Sequence, residues 1–197
     1  MLRRSQLGML APVVAFVSIV ISIVMSPWFD WALHDLSHLG MYENGFATAL
    51  IFNGGLIVTG LLMLIFLIGY ARNIDDSSKR LLMLPFVIAM ASLALIGVFP
   101  VGSSPIHFIA SLGFLLSFPF AMSIVGIYWI RILDRRVFAA ASLAVGILLL
   151  LMWVLIMISP SFTFGVAIPE VLTAVSAAVW LWLAWSRYMV RRTPSTQ

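Results

Sequence analysis

The chain contains no cysteine, so disulfide bonds, cysteine-ligated iron–sulfur clusters and thiol chemistry are excluded. Charge is also scarce, because only 9% of the 197 residues are Asp, Glu, Lys or Arg. A soluble domain usually carries about 25% charged residues, since its surface faces water. We therefore predict a single membrane domain over residues 1–197 and no soluble domain.

Hydrophobic residues make up 63% of the sequence, and they form long runs. A helix that spans a bilayer needs roughly 20 mainly apolar residues. The runs predict an all-α bundle of six transmembrane helices, at about residues 7–25, 46–71, 81–99, 107–131, 137–158 and 170–192. The segment after the first helix is too polar to span, and it is predicted to form a short interfacial or re-entrant helix around Trp31 to Leu39.

Positive charge is missing from every second connection between the predicted helices. All eleven Lys and Arg residues fall at the same side of the bundle: Arg3, Arg4, Arg72, Lys79, Arg80, Arg131, Arg135, Arg136, Arg187, Arg191 and Arg192. The positive-inside rule then predicts a multi-pass protein of the cell membrane with both termini in the cytoplasm. Because these residues form short clusters at helix ends and no solvated basic face, nucleic acid is not an expected partner.

The histidines and most acidic residues fall on the opposite, outer side. They are Asp30, His34, Asp35, His38, Glu43, His107 and Glu170, and Asn53 lies about two turns inside the second helix. Polar groups at membrane depth usually face the bundle interior, because exposure to lipid is costly. We predict that His38, His107 and Glu170 share one polar pocket open to the outer face, with His34, Asp35 and Asn53 as further members.

Two of the histidines have a spacing that suits metal binding. If the segment is helical, His34 and His38 lie at positions i and i+4 on one face, and His107 supplies a third nitrogen. Three protein ligands and a water form a catalytic zinc site. The alternatives are an interfacial stretch with histidines at headgroup level, a His107 that bonds nearby loop backbone, and a Glu170 that stabilises the start of its helix.

Small residues in the second helix predict close packing. Gly54, Gly55 and Gly60 lie in an apolar span, where glycine lets a neighbouring helix approach closely. We expect Gly55 or Gly60 to lie at a helix–helix contact.

Several short phrases, taken together, resemble a known family. They are Leu36-Ser37-His38-Leu39-Gly40, Ile51-Phe52-Asn53 with Gly60, Gly97-Val98-Phe99-Pro100, His107, and Ile168-Pro169-Glu170. In this order they resemble the prokaryotic membrane family called domain of unknown function 998, which is related to the eukaryotic DRAM and FRAG groups. The family pattern has Asp where His38 stands. The resemblance implies a six-helix bundle and, by analogy with the wider group, a lipid substrate or ligand.

Three functions are compatible with these patterns. The first is a protein without enzymatic activity that binds membrane lipids or a protein partner in the membrane. The second is a metal-dependent lipid hydrolase or transferase with an outer-facing His/Glu site. The third, a small transporter or channel, is least favoured because the sequence lacks charges at the membrane centre and an inverted repeat. Whether the protein is an enzyme is left open by the sequence.

Overall fold

The computed structural model describes residues 4–102, 105–159 and 165–186, and the regular secondary structure within these ranges is entirely helical. Its α-helices are α1 (Arg4–Val24), α2 (Phe46–Ala71), α3 (Ser77–Leu81), α4 (Leu84–Val98), α5 (Pro105–Trp129), α6 (Arg136–Ile158) and α7 (Ala167–Ala184). Short 3₁₀ turns occur at Leu36–Gly40, Tyr42–Asn44 and Leu133–Arg135.

Five stretches of the described chain are long and apolar enough to cross a membrane. They are Phe46–Ala71, Lys79–Val98, Pro105–Trp129, Leu133–Ile158 and Ala167–Ala184. Helix α1 adds a shorter apolar stretch, Gly8–Val24. The prediction of an all-helical, multi-pass membrane bundle is thus confirmed. The predicted end of the last helix near Arg192 lies outside the described residues, as do Arg3, Arg187 and Arg191.

Consecutive helices pack antiparallel to one another. Between α1 and α2, Thr59 Oγ1 donates to the carbonyl of Ala11, and Ser22 Oγ donates to the carbonyl of Thr48. The later residue of α2 thus pairs with the earlier residue of α1, which defines an up-and-down arrangement. The pairs α2–α4, α4–α5 and α5–α6 pack extensively, whereas α7 contacts α1, α5 and α6 more sparsely.

Close approach of α2 to its two neighbours depends on glycine. A Cβ atom placed on Gly60 would lie 2.7 Å from the carbonyl oxygen of Met90 and 2.8 Å from the Cβ of Ala94, both on α4. A Cβ on Gly55 would collide with the side chain of Ser18 on α1. The predicted glycine contact is therefore confirmed at both positions. Gly54 has no such neighbour within 4 Å.

The antiparallel order gives the bundle two chemically different ends. The basic end is defined by the turns between α2 and α4 and between α5 and α6, which carry Arg72, Lys79, Arg80, Arg131, Arg135 and Arg136. The acidic end is defined by the opposite connections and the start of α7, which carry Asp30, Asp35, Glu43 and Glu170.

Residues 25–45, termed the capping segment, connect α1 to α2 at the acidic end. The segment does not cross the bundle, but the predicted helix from Trp31 to Leu39 is wrong. Asp35 has extended backbone (φ −92°, ψ 153°), and only a short 3₁₀ turn, Leu36–Gly40, follows it. His34 and His38 therefore do not share the face of one helix. Buried Asn53 holds this turn, because its Nδ2 donates to the carbonyl of Gly40 over 2.9 Å.

Candidate functional site

A partly open cavity of about 100 Å³ lies between α7 and the helices α1, α2, α4 and α5, and the capping segment adjoins it. Its lining is mainly apolar, with side chains such as Phe16, Leu56, Met90, Leu115 and Leu181. Along α7 the lining runs from Glu170 to Leu181, which at 1.5 Å per residue is about 16 Å. The cavity is thus long and narrow, and it runs along the bundle axis.

Small side chains on α7 leave this space open. Ala174, Ala177 and Ala178 all line the cavity, and they follow one another at the i, i+3 and i+4 spacing of one helix face. These residues were missed by the sequence reasoning, although their spacing is a readable signal of a small-residue face.

Glu170 lies at the polar end of the cavity, one turn inside α7. Its Oε2 accepts a hydrogen bond of 2.6 Å from the backbone N–H of Leu36 in the capping segment. Among the described residues its other oxygen, Oε1, has no hydrogen-bond partner, and Glu170 is part of the cavity lining. The start of a helix favours negative charge, and the Leu36 bond offsets part of the cost of burying the carboxyl group. One oxygen is therefore fixed by the capping segment.

The start of α7 is bound to the capping segment by backbone contacts as well. Gly165 N–H donates to the carbonyl of Ala32 over 2.8 Å, and Ala167 N–H donates to the carbonyl of His34 over 3.2 Å. Oδ1 of Asp35 accepts from the N–H of Val166 over 2.8 Å. Asp35 thereby caps α7 from a distant part of the chain, because the first N–H groups of a helix have no partner within it.

Glycine is needed at residue 165 for this pairing. A Cβ atom there would collide with the backbone of His34. The segment before α7 and the capping segment can therefore lie side by side only while this position has no side chain.

Most of the predicted site residues belong to the contact between the capping segment and the start of α7, which is termed the junction. His38 Nδ1 accepts the Asp35 N–H over 3.0 Å and lies 4.0 Å from Oδ2 of the same residue. His34 Nδ1 accepts the Asp30 N–H over 3.0 Å, and its ring is 5.4 Å from that of His38. Glu170, which bonds Leu36 and lines the cavity, belongs to the same contact between the capping segment and α7.

His107 has a different environment. Its Nδ1 lies 2.7 Å from the carbonyl oxygen of Phe99, the residue that follows α4, so the expected alternative of a backbone contact is present. Within the described ranges, no hydrogen bond, ion pair or ring contact joins His107 to His38 or Glu170. A pocket shared by all three residues stays a prediction.

The geometry offers no ready metal centre. In the part of the chain that the structure describes, no group of three or more His, Asp or Glu side chains is arranged to hold a metal ion. Each of the three imidazoles uses Nδ1 in a local backbone contact. The zinc site of His34, His38 and His107 thus gains no support from the geometry.

The sequence was compared with models of known protein families. A family model described as a protein of unknown function (DUF998) matches residues 9–186. The chain belongs to this family. No curated protein and no solved structure matches the chain. The matched range contains the whole cavity lining, from Pro12 to Leu181, together with the capping segment and the start of α7.

Proposed function

We propose that this protein binds a lipid chain in the cavity between α7 and the rest of the bundle. The observation that carries the proposal is the lining itself, which is apolar along its length and has a carboxyl group at one end. That pattern matches an amphiphile, with a hydrocarbon tail along the apolar walls and a polar head at Glu170. The surrounding bilayer supplies such molecules at high concentration.

The dimensions favour one aliphatic chain. A volume of about 100 Å³ is small beside the roughly 300–1,000 Å³ of pockets that hold drug-sized ligands. The length of about 16 Å is close to half of the roughly 30 Å hydrocarbon core, which is the depth of one leaflet. A single narrow chain suits this shape, whereas two tails side by side do not.

The orientation we propose is a cell-membrane protein with both termini cytoplasmic. It is supported by the sequence, in which all eleven Lys and Arg residues belong to the N-terminus, the C-terminal segment and the two turns of the basic end. The acidic end then faces the outside. Glu170 and the capping segment would meet the outer leaflet, and a lipid chain would extend inward from there.

Access through the side of the bundle is favoured by the packing of α7. This helix makes sparser contacts with α1 and α5 than the other neighbouring helices make with each other. A small outward movement of α7 would open the cavity to the bilayer without breaking the extensive interfaces among α1, α2, α4, α5 and α6.

The test introduces a bulky side chain into the cavity, and a matched substitution on the membrane-facing surface of the same helix is the control. Ala178 lines the cavity, whereas its neighbour Val179 is 51% exposed on the outside of the same helix. The variants Ala178→Phe and Val179→Phe each place one phenyl ring on α7. Lipids retained by each purified protein in a mild nonionic detergent are counted by native mass spectrometry.

We expect the parent protein and Val179→Phe to retain one single-chain lipid, and Ala178→Phe to lose it. Retention by Ala178→Phe at the level of the parent would show that the cavity is not the binding site, and the proposal would be wrong. The metal-dependent hydrolase or transferase remains the alternative, although among the described residues no metal-binding group favours it.

A further inference from the structure

We infer that the bound amphiphile carries an ammonium head group, which donates a hydrogen bond to Oε1 of Glu170. This inference rests on the proposed lipid-binding function and goes further, because it specifies the chemistry of the head. It follows from the hydrogen bonding of Glu170 and from the distribution of charge at the acidic end.

The first argument is the unequal use of the two carboxyl oxygens. Leu36 N–H donates to Oε2 over 2.6 Å, and in the described part of the chain Oε1 has no hydrogen-bond partner. A carboxylate accepts hydrogen bonds at both oxygens and donates none. A head group that bonds to the ionised carboxyl group must be a donor, which an ammonium or a hydroxyl group is and a carboxylate or a phosphate dianion is not. An ammonium group beside Glu170 also favours the ionised form of the carboxyl group, whereas a protonated Glu170 would itself donate.

The second argument is charge. The connections at the acidic end carry the carboxyl groups of Asp30, Asp35, Glu43 and Glu170, and the sequence places no Lys or Arg in them. Asp35 is adjacent to the Leu36 that bonds Glu170, so two carboxyl groups lie close to the head position. Like charges close together in a poorly hydrated site repel strongly. An anionic head is therefore disfavoured beside the ionised carboxyl groups, and a cationic head is attracted to them.

Hydroxyl groups complete the polar end. Ser37 follows Leu36 directly and lines the cavity, as does Ser111 of α5. An ammonium group has three N–H donors, so after bonding Glu170 it has others for a hydroxyl oxygen such as that of Ser37. Beyond these residues the lining is mainly apolar, and the rest of the ligand is therefore a hydrocarbon chain.

The experiment compares three amphiphiles that differ only in the head: dodecylamine, dodecanol and dodecanoate. Their dissociation constants are measured for the full-length protein in a nonionic detergent by native mass spectrometry. The variants are Glu170→Gln, Glu43→Gln and Ala178→Phe. Glu43 is an exposed acid of the same end outside the cavity lining, so Glu43→Gln removes the same charge without changing the site.

We expect the parent protein to bind dodecylamine at least about tenfold more tightly than dodecanoate, with dodecanol between them, because a hydrogen bond between charged groups is worth more than a neutral one. Glu170→Gln should abolish this preference, since the amide keeps an acceptor for Leu36 N–H but presents an NH₂ donor and no charge. Glu43→Gln should retain the preference, and Ala178→Phe should bind none of the three.

Two results distinguish failure of the head-group inference from failure of the proposed function. Equal affinity of the parent protein for the three heads, or an unchanged preference in Glu170→Gln, overturns the ammonium inference, while loss of binding in Ala178→Phe still supports lipid binding in the cavity. Binding that Ala178→Phe leaves unchanged overturns both. If Glu170→Gln does not fold, the order of affinities in the parent protein decides the question alone.

Discussion

The backbone N–H of Leu36 donates a 2.6 Å hydrogen bond to Oε2 of Glu170, a residue 134 positions further along the chain. This bond joins the capping segment to α7 at the polar end of the cavity. Under the proposed function Glu170 has two roles, because one oxygen holds the capping segment and the other bonds the head group of the ligand. A change at this residue should affect stability and binding in separable ways.

Removal of the Glu170 acceptor should destabilise the junction. In Glu170→Ala the Leu36 N–H loses its partner, and we expect the free energy of unfolding to fall by about 1–3 kcal/mol. Glu170→Gln keeps an acceptor oxygen and should stay within about 1 kcal/mol of the parent. Unfolding by sodium dodecyl sulfate in mixed micelles measures both. A Glu170→Ala variant as stable as Glu43→Ala, the exposed control, would contradict the assigned bond.

Two glycines of α2 provide a matched test of helix packing. A Cβ atom on Gly60 would press against the α4 backbone at Met90, whereas a Cβ atom on Gly54 would have no neighbour within 4 Å, so only the first site is crowded. Gly60→Leu should lower the free energy of unfolding by roughly 1–3 kcal/mol through overpacking. Gly54→Leu should change it little or raise it slightly, since leucine favours helix more than glycine does. Equal effects of the two substitutions would rule out this explanation.

Helix α7 is linked to α6 by hydrogen bonds between side chains. Trp153 Nε1 donates to Thr173 Oγ1 over 2.9 Å, and Trp180 Nε1 donates to Ser142 Oγ over 2.7 Å. A double-mutant cycle with Trp153→Phe and Thr173→Val should give a coupling energy of about 0.6 kcal/mol and at most about 1.7 kcal/mol, the average and the maximum for such bonds in membranes. A coupling energy indistinguishable from zero would mean that this bond does not hold α7.

The absence of cysteine makes the proposed orientation simple to test, because a single introduced cysteine is labelled without background. Glu43→Cys places a thiol in the exposed part of the capping segment, and Ser77→Cys places one in the exposed turn of the basic end. In intact cells, a membrane-impermeant maleimide should label the first and should reach the second only after permeabilisation. The reverse pattern would invert the topology.

The bundle was predictable because its signals lie in the sequence alone. Apolar runs give the number of long apolar helices, and Gly55 and Gly60 mark a packing face whichever helix packs against it. The start of α4 was harder to predict from the sequence. The helix is interrupted at Leu82 and Met83, although both residue types favour helix, and Pro85 lies in the first turn of α4 instead of inside a continuous helix.

The site was only partly predictable, because its partners are backbone groups. Glu170 was identified as a site residue, but its bond to Leu36 N–H depends on how two distant segments meet. Every residue except proline has a backbone N–H, so the residue type at position 36 does not identify the partner. The metal hypothesis assumed a helix through His34 and His38, and the extended backbone of Asp35 breaks it. Asp35 adopts that conformation where its side chain bonds Val166, a contact between segments far apart in the chain.

The order of packing also has a consequence for biogenesis. From α1 to α6 each interface joins helices that are close in sequence, so these contacts can form while the chain is still being translated. The last wall of the cavity is added only when α7, which must reach α1 across nearly the whole chain, leaves the ribosome and docks. Until then this wall is missing, so under the proposed function a lipid can enter the cavity from the bilayer during assembly. Under the same proposal, later exchange of the lipid is eased by movement of α7, whose contacts with the bundle are sparse.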